Sequence, residues 1–164
     1  MITAEVLRVA IGLLGLAGAI AIVVYDWRVF RIPDFLSLPA VPLGLVLSGS
    51  LLGGASSFVA GPWHAAAAIG AAAALYLLRA WYDYARGIEA IGLGDVKLAA
   101  VAGAWVRPAL LPYVFLVASL SALAYGAAVH AWRRDVLERR IPFGVFLAPS
   151  IRGVWIAAEL YGRT

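Results

Sequence analysis

Apolar runs of membrane length alternate with short polar segments along the whole chain. The pattern predicts six helices, at about 4–25, 38–53, 63–80, 95–107, 110–132 and 142–161. The first run ends at DWRVFRIPD, the third at RAWYDYARGIEAIGLGD and the fifth at RRDVLERR. A GGASS turn separates the second run from the third. Pro39 and Pro42 fall in the first turns predicted for helix 2, where a missing N–H costs least. Helix 3 is rich in Ala and Gly, a composition that favours close helix packing in lipid. The fourth run covers about 18 Å before it meets Arg107–Pro108, at 1.5 Å rise per residue. A hydrocarbon core is about 30 Å thick, so this helix either continues through a kink at Pro108 or begins below the membrane surface.

Composition turns these helices into a bilayer architecture. Of 164 residues, 64% are hydrophobic and 13% charged. A soluble domain carries about 25% charged residues, so this chain could not cover its surface in water. The expected fold is all-α, a polytopic bundle of about six transmembrane helices forming a single domain over 1–164. The first run begins at Glu5 rather than in a basic region and runs long, so it reads as a retained helix rather than a cleaved signal. There is no cysteine, which excludes disulfides, thiolate metal sites and cysteine catalysis. His64 and His130 belong near opposite faces, so no metal site is expected from them.

The net charge of +4 matters less than its placement. The turns after helices 1, 3 and 5 hold Arg28, Arg31, Arg79, Arg86, Lys97, Arg133, Arg134, Arg139 and Arg140. The opposite side and helix 6 hold only Arg8, Arg107, Arg152 and Arg163. Positively charged loops stay cytoplasmic, which places both termini outside. Trp27, Trp81 and Trp132 read as anchors at the cytoplasmic interface. No nucleic-acid partner is implied.

Two carboxylates then stand out, because an acid in lipid is costly. Asp26 lies where helix 1 meets the cytoplasmic interface, and Asp95 where helix 4 begins, after the glycines of GLGD. If helices 1 and 4 pack together, the two can meet and hold one proton between them. One could then activate a water while the other polarises a carbonyl, with no metal or cofactor. Gly92 and Gly94 allow close approach of backbone or substrate. Asp95 is equally an ordinary N-cap, and Asp26 an interfacial acid paired with Arg28 or Arg31. Spacing alone does not choose. Asp83 and Glu89 read as loop acids, and Asp135 and Glu138 as partners of neighbouring arginines.

Three segments share a resemblance. GLGDVKLAAVAGAW resembles the GxGD segment of the type IV prepilin peptidases, a family of intramembrane aspartyl proteases. YDWRVFRIPDFLSLP resembles that family's first-aspartate segment, and IPFGVFLAP the segment that opens its last helix. The matches keep their order and extend over nearly the whole chain. The resemblance implies that Asp26 and Asp95 are the catalytic pair and that Asp34 is structural. Gly92, Gly94 and Lys97 match the GxGDxKL pattern, with Lys97 tuning Asp95, touching substrate, or snorkelling. It further implies pilin-like precursors with a basic leader and a single hydrophobic helix as partners, membrane lipid around them, no cofactor, and a site near the cytoplasmic face of the inner membrane.

The chain also departs from that family. Many members carry an N-terminal cytoplasmic region with a cysteine tetrad that accompanies methylation of the new N-terminus. This chain starts at helix 1 and lacks cysteine, so peptidase activity without methyltransferase activity is expected, as in the short peptidases of tight-adherence pili. Val29 stands where the family often has threonine, and Arg152 lies unusually deep in helix 6. Rival readings are a presenilin-type or signal-peptide-peptidase-type GxGD protease, a preflagellin peptidase, a non-catalytic pilus scaffold, and a small proton-coupled transporter.

Overall fold

In the computed structural model, residues 2–29, 34–51, 57–89, 91–132 and 142–161 are described. Six α-helices account for nearly all of them: α1 (Ile2–Val29), α2 (Asp34–Leu51), α3 (Ser57–Arg86), α4 (Leu93–Trp105), α5 (Leu111–Trp132) and α6 (Gly144–Tyr161). A single 3-10 turn, Pro108–Leu110, joins α4 to α5. The GG of the second turn, Arg31 and the whole RRDVLERR segment with Asp135 and Glu138 lie outside the described residues, as does Arg163.

The predicted helix bundle is therefore present, and its boundaries move for physical reasons. The third helix runs six residues further than expected, so Asp83 is helical rather than in a loop. It stops where Gly87 adopts φ 64 and its N–H bonds the Asp83 carbonyl at 2.9 Å, an αL cap that glycine takes without steric cost. The second helix starts at Asp34, which puts Pro39 and Pro42 in its interior rather than its first turns. Each proline leaves a carbonyl one turn earlier without its usual N–H. The fourth helix is 13 residues long, about 20 Å, and does not pass through Pro108. The helix closes at Val106, extended at φ −102 and ψ 141, and Arg107 before the proline stays out of helical backbone at φ −52 and ψ 134.

Burial separates the helices by role. Among the described residues, three spans are long and apolar enough to cross a bilayer: Gly12–Val29, Gly61–Arg86 and Pro108–Trp132. Their outward residues, such as Leu13, Ile69, Leu77, Leu120 and Leu123, are large, apolar and exposed, as a lipid-facing surface requires. The short α4 behaves differently. Leu98, Ala99, Ala102 and Ala104 are fully enclosed, with α3, α2 and α6 packed around them. At Gly103 the α3 backbone comes so close that a Cβ would lie 2.4 Å from the Ala68 nitrogen. At Gly44 of α2 a Cβ would lie 2.6 Å from the Trp105 ring, whose Nε1 donates to the Ala40 carbonyl at 2.8 Å. Buried His64 of α3 backs onto Gly103 and Ala104. These steps hold a short, enclosed helix at the centre of an integral membrane bundle.

Candidate active site

The charged ends of the helices gather at one end of this bundle. Tyr25 of α1 meets Phe35 of α2 edge to face, with ring centroids 6.5 Å apart. Trp27 meets Tyr125 of α5 at 6.0 Å, and Tyr125 meets Phe146 of α6 at 5.6 Å. Lys97 of α4 forms an ion pair with Asp34 at the start of α2. Arg79 folds the segment before α4 against α3, donating to the Ile91 carbonyl at 2.7 Å and to Glu89 at 2.9 Å. The DWRVF segment and the GLGD segment thus share one end.

Helical spacing continues from that end into a cavity. A space of about 440 Å³ lies among α1, α2, α4 and α6, with an almost entirely apolar lining that includes Ile22, Phe35, Leu43, Leu98 and Ala148. Residues three or four apart share a helix face. Asp26 follows Ile22 by four positions, Asp95 precedes Leu98 by three, and Gly144 precedes Ala148 by four. Both acids and the start of α6 therefore lie about one helical turn beyond residues of this lining, toward the charged-loop end. Helix α1 packs chiefly on α6 and only lightly on α2, which leaves the cavity flanked by two helices with little mutual contact.

At that end Asp26 is buried, at 5% exposure, although it lies in the last turns of a membrane helix. The backbone N–H groups of Gly144 and Val145 face its carboxylate, while Oδ2 has no hydrogen-bond partner. Those amides belong to the entry of α6, whose first N–H groups have no partner within their own helix. Asp95 is partly buried and lies close enough to feel the charge of Asp26. It is not the N-cap of α4. Gly92 holds that place, extended at φ −71 and ψ 145, and Asp95 stands three residues on, reaching back to the Gly92 N–H. This is the acidic half of a capping box, with glycine where a hydroxyl residue usually stands.

The other expected site residues are distributed around the pair. A Cβ on Gly92 would lie 3.4 Å from Asp95 Oδ2, an ordinary contact, so the protein's own packing does not demand glycine there. Gly94 lies in the first turn of α4, partly buried. Lys97 is committed to Asp34. Helices 1 and 4 do not pack extensively on each other, contrary to the simplest route by which their acids could meet; α6 and the cavity lie between them. Sequence reasoning missed two contributors. The segment IPFGVFLAP pointed to the region of Gly144 and Val145 but not to their amides, and Arg79 was marked by nothing except its charge. Among the described residues no cluster of three or more His, Asp or Glu could hold a metal.

An acid pair of this kind, at the end of an apolar cavity, can activate water and polarise a carbonyl without a covalent intermediate. Comparison with known proteins bears on the same region. Residues 13–127, which include both acids, match the type IV leader peptidase family. A prepilin leader peptidase/N-methyltransferase of Burkholderia pseudomallei is 38% identical over 144 residues, covering 85% of this chain and 44% of that protein. One of Pectobacterium carotovorum is 33% identical over 129 residues, covering 79% and 44%. One of Escherichia coli K12 is 34% identical over 125 residues, covering 76% and 53%. The chain thus spans about half the length of these relatives. No solved structure matches it significantly.

Proposed function

The chain belongs to the type IV leader peptidase family, and from that premise we propose that it is an aspartyl endopeptidase of the cytoplasmic membrane that removes the leader from prepilin-like precursors. Asp26 and Asp95 are the catalytic pair. The observation that carries this reading is their convergence, from helices distant in sequence, at one end of an apolar cavity. The precursor's hydrophobic helix would lie along the cavity between α1 and α2, with the leader junction at the acids. The concentration of Arg28, Arg79, Arg86 and Lys97 at this end supports a cytoplasmic location for the cut.

Hydrolysis follows from a shared proton. The ionised carboxylate takes a proton from water, whose oxygen attacks the scissile carbonyl, while the protonated carboxyl donates to that carbonyl oxygen. Collapse of the tetrahedral intermediate breaks the C–N bond, and the departing amine takes a proton from the pair. The amides of Gly144 and Val145 fix the Asp26 carboxylate without neutralising both oxygens.

The test is coexpression of the chain with single-span precursors bearing a basic leader, comparing wild type with Asp26→Asn and Asp95→Asn. Wild type should release the leader and each inserted variant should leave the precursor whole. Mass spectrometry of the products should place the cut at the leader junction. A cut inside the hydrophobic helix points to a signal-peptide-peptidase-type activity. Binding without any cut points to a scaffold, and either result ends the leader-peptidase reading.

A further inference from the structure

Away from the acids and their cavity, a second hollow opens between α3 and α5. These two helices hardly touch each other, and α3 meets the 3-10 turn ahead of α5 instead. The gap is an apolar groove of about 440 Å³, with Gly70, Ala74 and Leu78 of α3 along one side and Pro108, Leu111 and Phe115 along the other. Ligand sites commonly measure about 300–1,000 Å³. Gly70 is exposed in a helix interior, where glycine is less stable than alanine. No atom lies within 4 Å of the place its Cβ would take, so the chain's own packing does not call for glycine there. A side chain at that position would narrow the groove.

A cation marks one end of this groove. Arg107 is exposed, and the next residue, Pro108, is part of the lining. The charge of Arg107 is felt at His64, in the first turn of the α3 span that begins at Gly61. Trp63, 67% exposed, stands at the same level, and tryptophan concentrates at the membrane–water interface. Arg107 therefore lies at headgroup depth, beyond the end of α4 that is opposite Asp95. Counted along α3 from His64, Gly70 lies about 9 Å further into the membrane and Leu78 about 21 Å. One leaflet of a hydrocarbon core about 30 Å thick is about 15 Å deep, so the groove occupies the depth through which an acyl chain passes.

We propose that this groove holds an acyl chain of an anionic phospholipid whose phosphate pairs with Arg107, on the membrane face opposite the acids. Charge complementarity selects the occupant. A lipid phosphate brings an anion to an exposed guanidinium at its own depth, and the chain fills the hollow beneath. A protein helix fits worse. Over the 12 Å or so from Gly70 to Leu78, a helix about 10 Å across occupies about 900 Å³, roughly twice the groove. An apolar helix also brings no anion to Arg107. The bound lipid ties α3 to α5 where the chain itself does not, and the site is independent of the leader-peptidase reading.

The test places the full chain in nanodiscs of equal parts phosphatidylglycerol and phosphatidylcholine with identical acyl chains, and reads retained lipid by native mass spectrometry. Phosphatidylglycerol should be retained over phosphatidylcholine by about fivefold, the effect of one cation near a membrane surface. Arg107→Gln should remove that preference while a lipid still binds. Gly70→Leu, whose side chain enters the groove, should lower retention of both lipids. Equal retention of the two by the wild-type chain overturns the inference without recourse to any variant. So does a preference that survives Arg107→Gln, which would move the lipid to the arginines at the other end, such as Arg28 and Arg86. A phosphatidylglycerol with a photoreactive group in its acyl chain gives a second reading on the wild-type chain. Labelling should concentrate on residues 70–78 and 108–115. Even labelling of Leu13, Leu120 and Leu123, which are exposed elsewhere on the bundle, overturns the site. A dimer that Gly70→Leu disperses, with no lipid retained, would make the groove a contact between copies and overturns it as well.

Discussion

The cavity has a polar group at each end, and the two ends are built in opposite ways. At the charged-loop end, Asp26 and Asp95 stand near each other, with backbone amides on one and a helix entry on the other. At the far end, Arg152 is fixed by a carbonyl and two indoles, on a side chain that reaches across a glycine. Both ends keep an unpaired polar atom, Oδ2 of Asp26 and Nε of Arg152. The first lies beside polar loops, where water and protons can arrive. The second is enclosed by rings that exclude them. One arrangement suits the exchange of a proton, the other the holding of a fixed charge, and a single apolar cavity connects them.

The largest effects should separate the two ends. Asp26→Asn or Asp95→Asn keeps side-chain shape and removes the titrating group, so turnover should fall by about 10²–10⁴-fold or more. The folded yield in membranes should hold. Arg152→Met, in contrast, should leave kcat close to that of the wild type, because its side chain lies at the far end of the cavity from the acids. If Arg152→Met lowered kcat as deeply as the aspartate variants do, the two ends would be one catalytic site, and the contrast would fail.

Next in size is a change that should strike both ends together. Gly103 is where α4 touches the α3 backbone, and a methyl there meets main-chain atoms that cannot swing away. Gly103→Ala should cost about 1–3 kcal/mol or more in stability, read as a lower midpoint of thermal unfolding in detergent. Because α4 carries Asp95, turnover should decline in parallel. An unchanged midpoint with turnover intact would mean that the α3–α4 contact is looser than it stands here. Gly44→Ala is the one-ended counterpart. Its methyl would press on the Trp105 ring and strain the bond to the Ala40 carbonyl. It should lower the midpoint with little change in turnover, and a large loss of turnover would show that Trp105 supports the acids instead.

Different features made the two ends legible to different degrees. Long apolar runs and Arg placement are properties of consecutive residues, so six helices and the shared end of DWRVF and GLGD could be read directly. Short motifs singled out Asp26 and Asp95, but no local pattern encodes the path by which they meet. That path runs through α6 and the amides of Gly144 and Val145, a long-range contact that only packing reveals. The start of α4 was misplaced because Asp after Gly-Leu-Gly reads as a cap, whereas glycine itself can leave the helix in extended backbone. Arg152 was visible as an oddity in helix 6. Its surroundings were not, because Gly12, Gly15, Trp105 and Trp155 come from three helices and share no motif.

The smallest expected effect concerns Lys97, two residues from Asp95 and therefore an obvious candidate to tune it. Residues two apart on a helix do not face each other, and Lys97 turns instead to Asp34. Its side chain is 34% exposed and that of Asp34 61%, so water screens the pair. A double-mutant cycle with Lys97→Met and Asp34→Asn should give a coupling of about 0.2–1 kcal/mol in stability, shrinking as salt is added. The pH–rate profile of cleavage should keep its shape in Lys97→Met, with kcat within a few-fold of wild type. A displaced profile in Lys97→Met that Asp34→Asn does not reproduce would restore the lysine to the acid pair. A profile displaced equally by both would mean instead that the ion pair holds the entry of α4 against α2, and that the position of Asp95 depends on this tie across the mouth of the cavity.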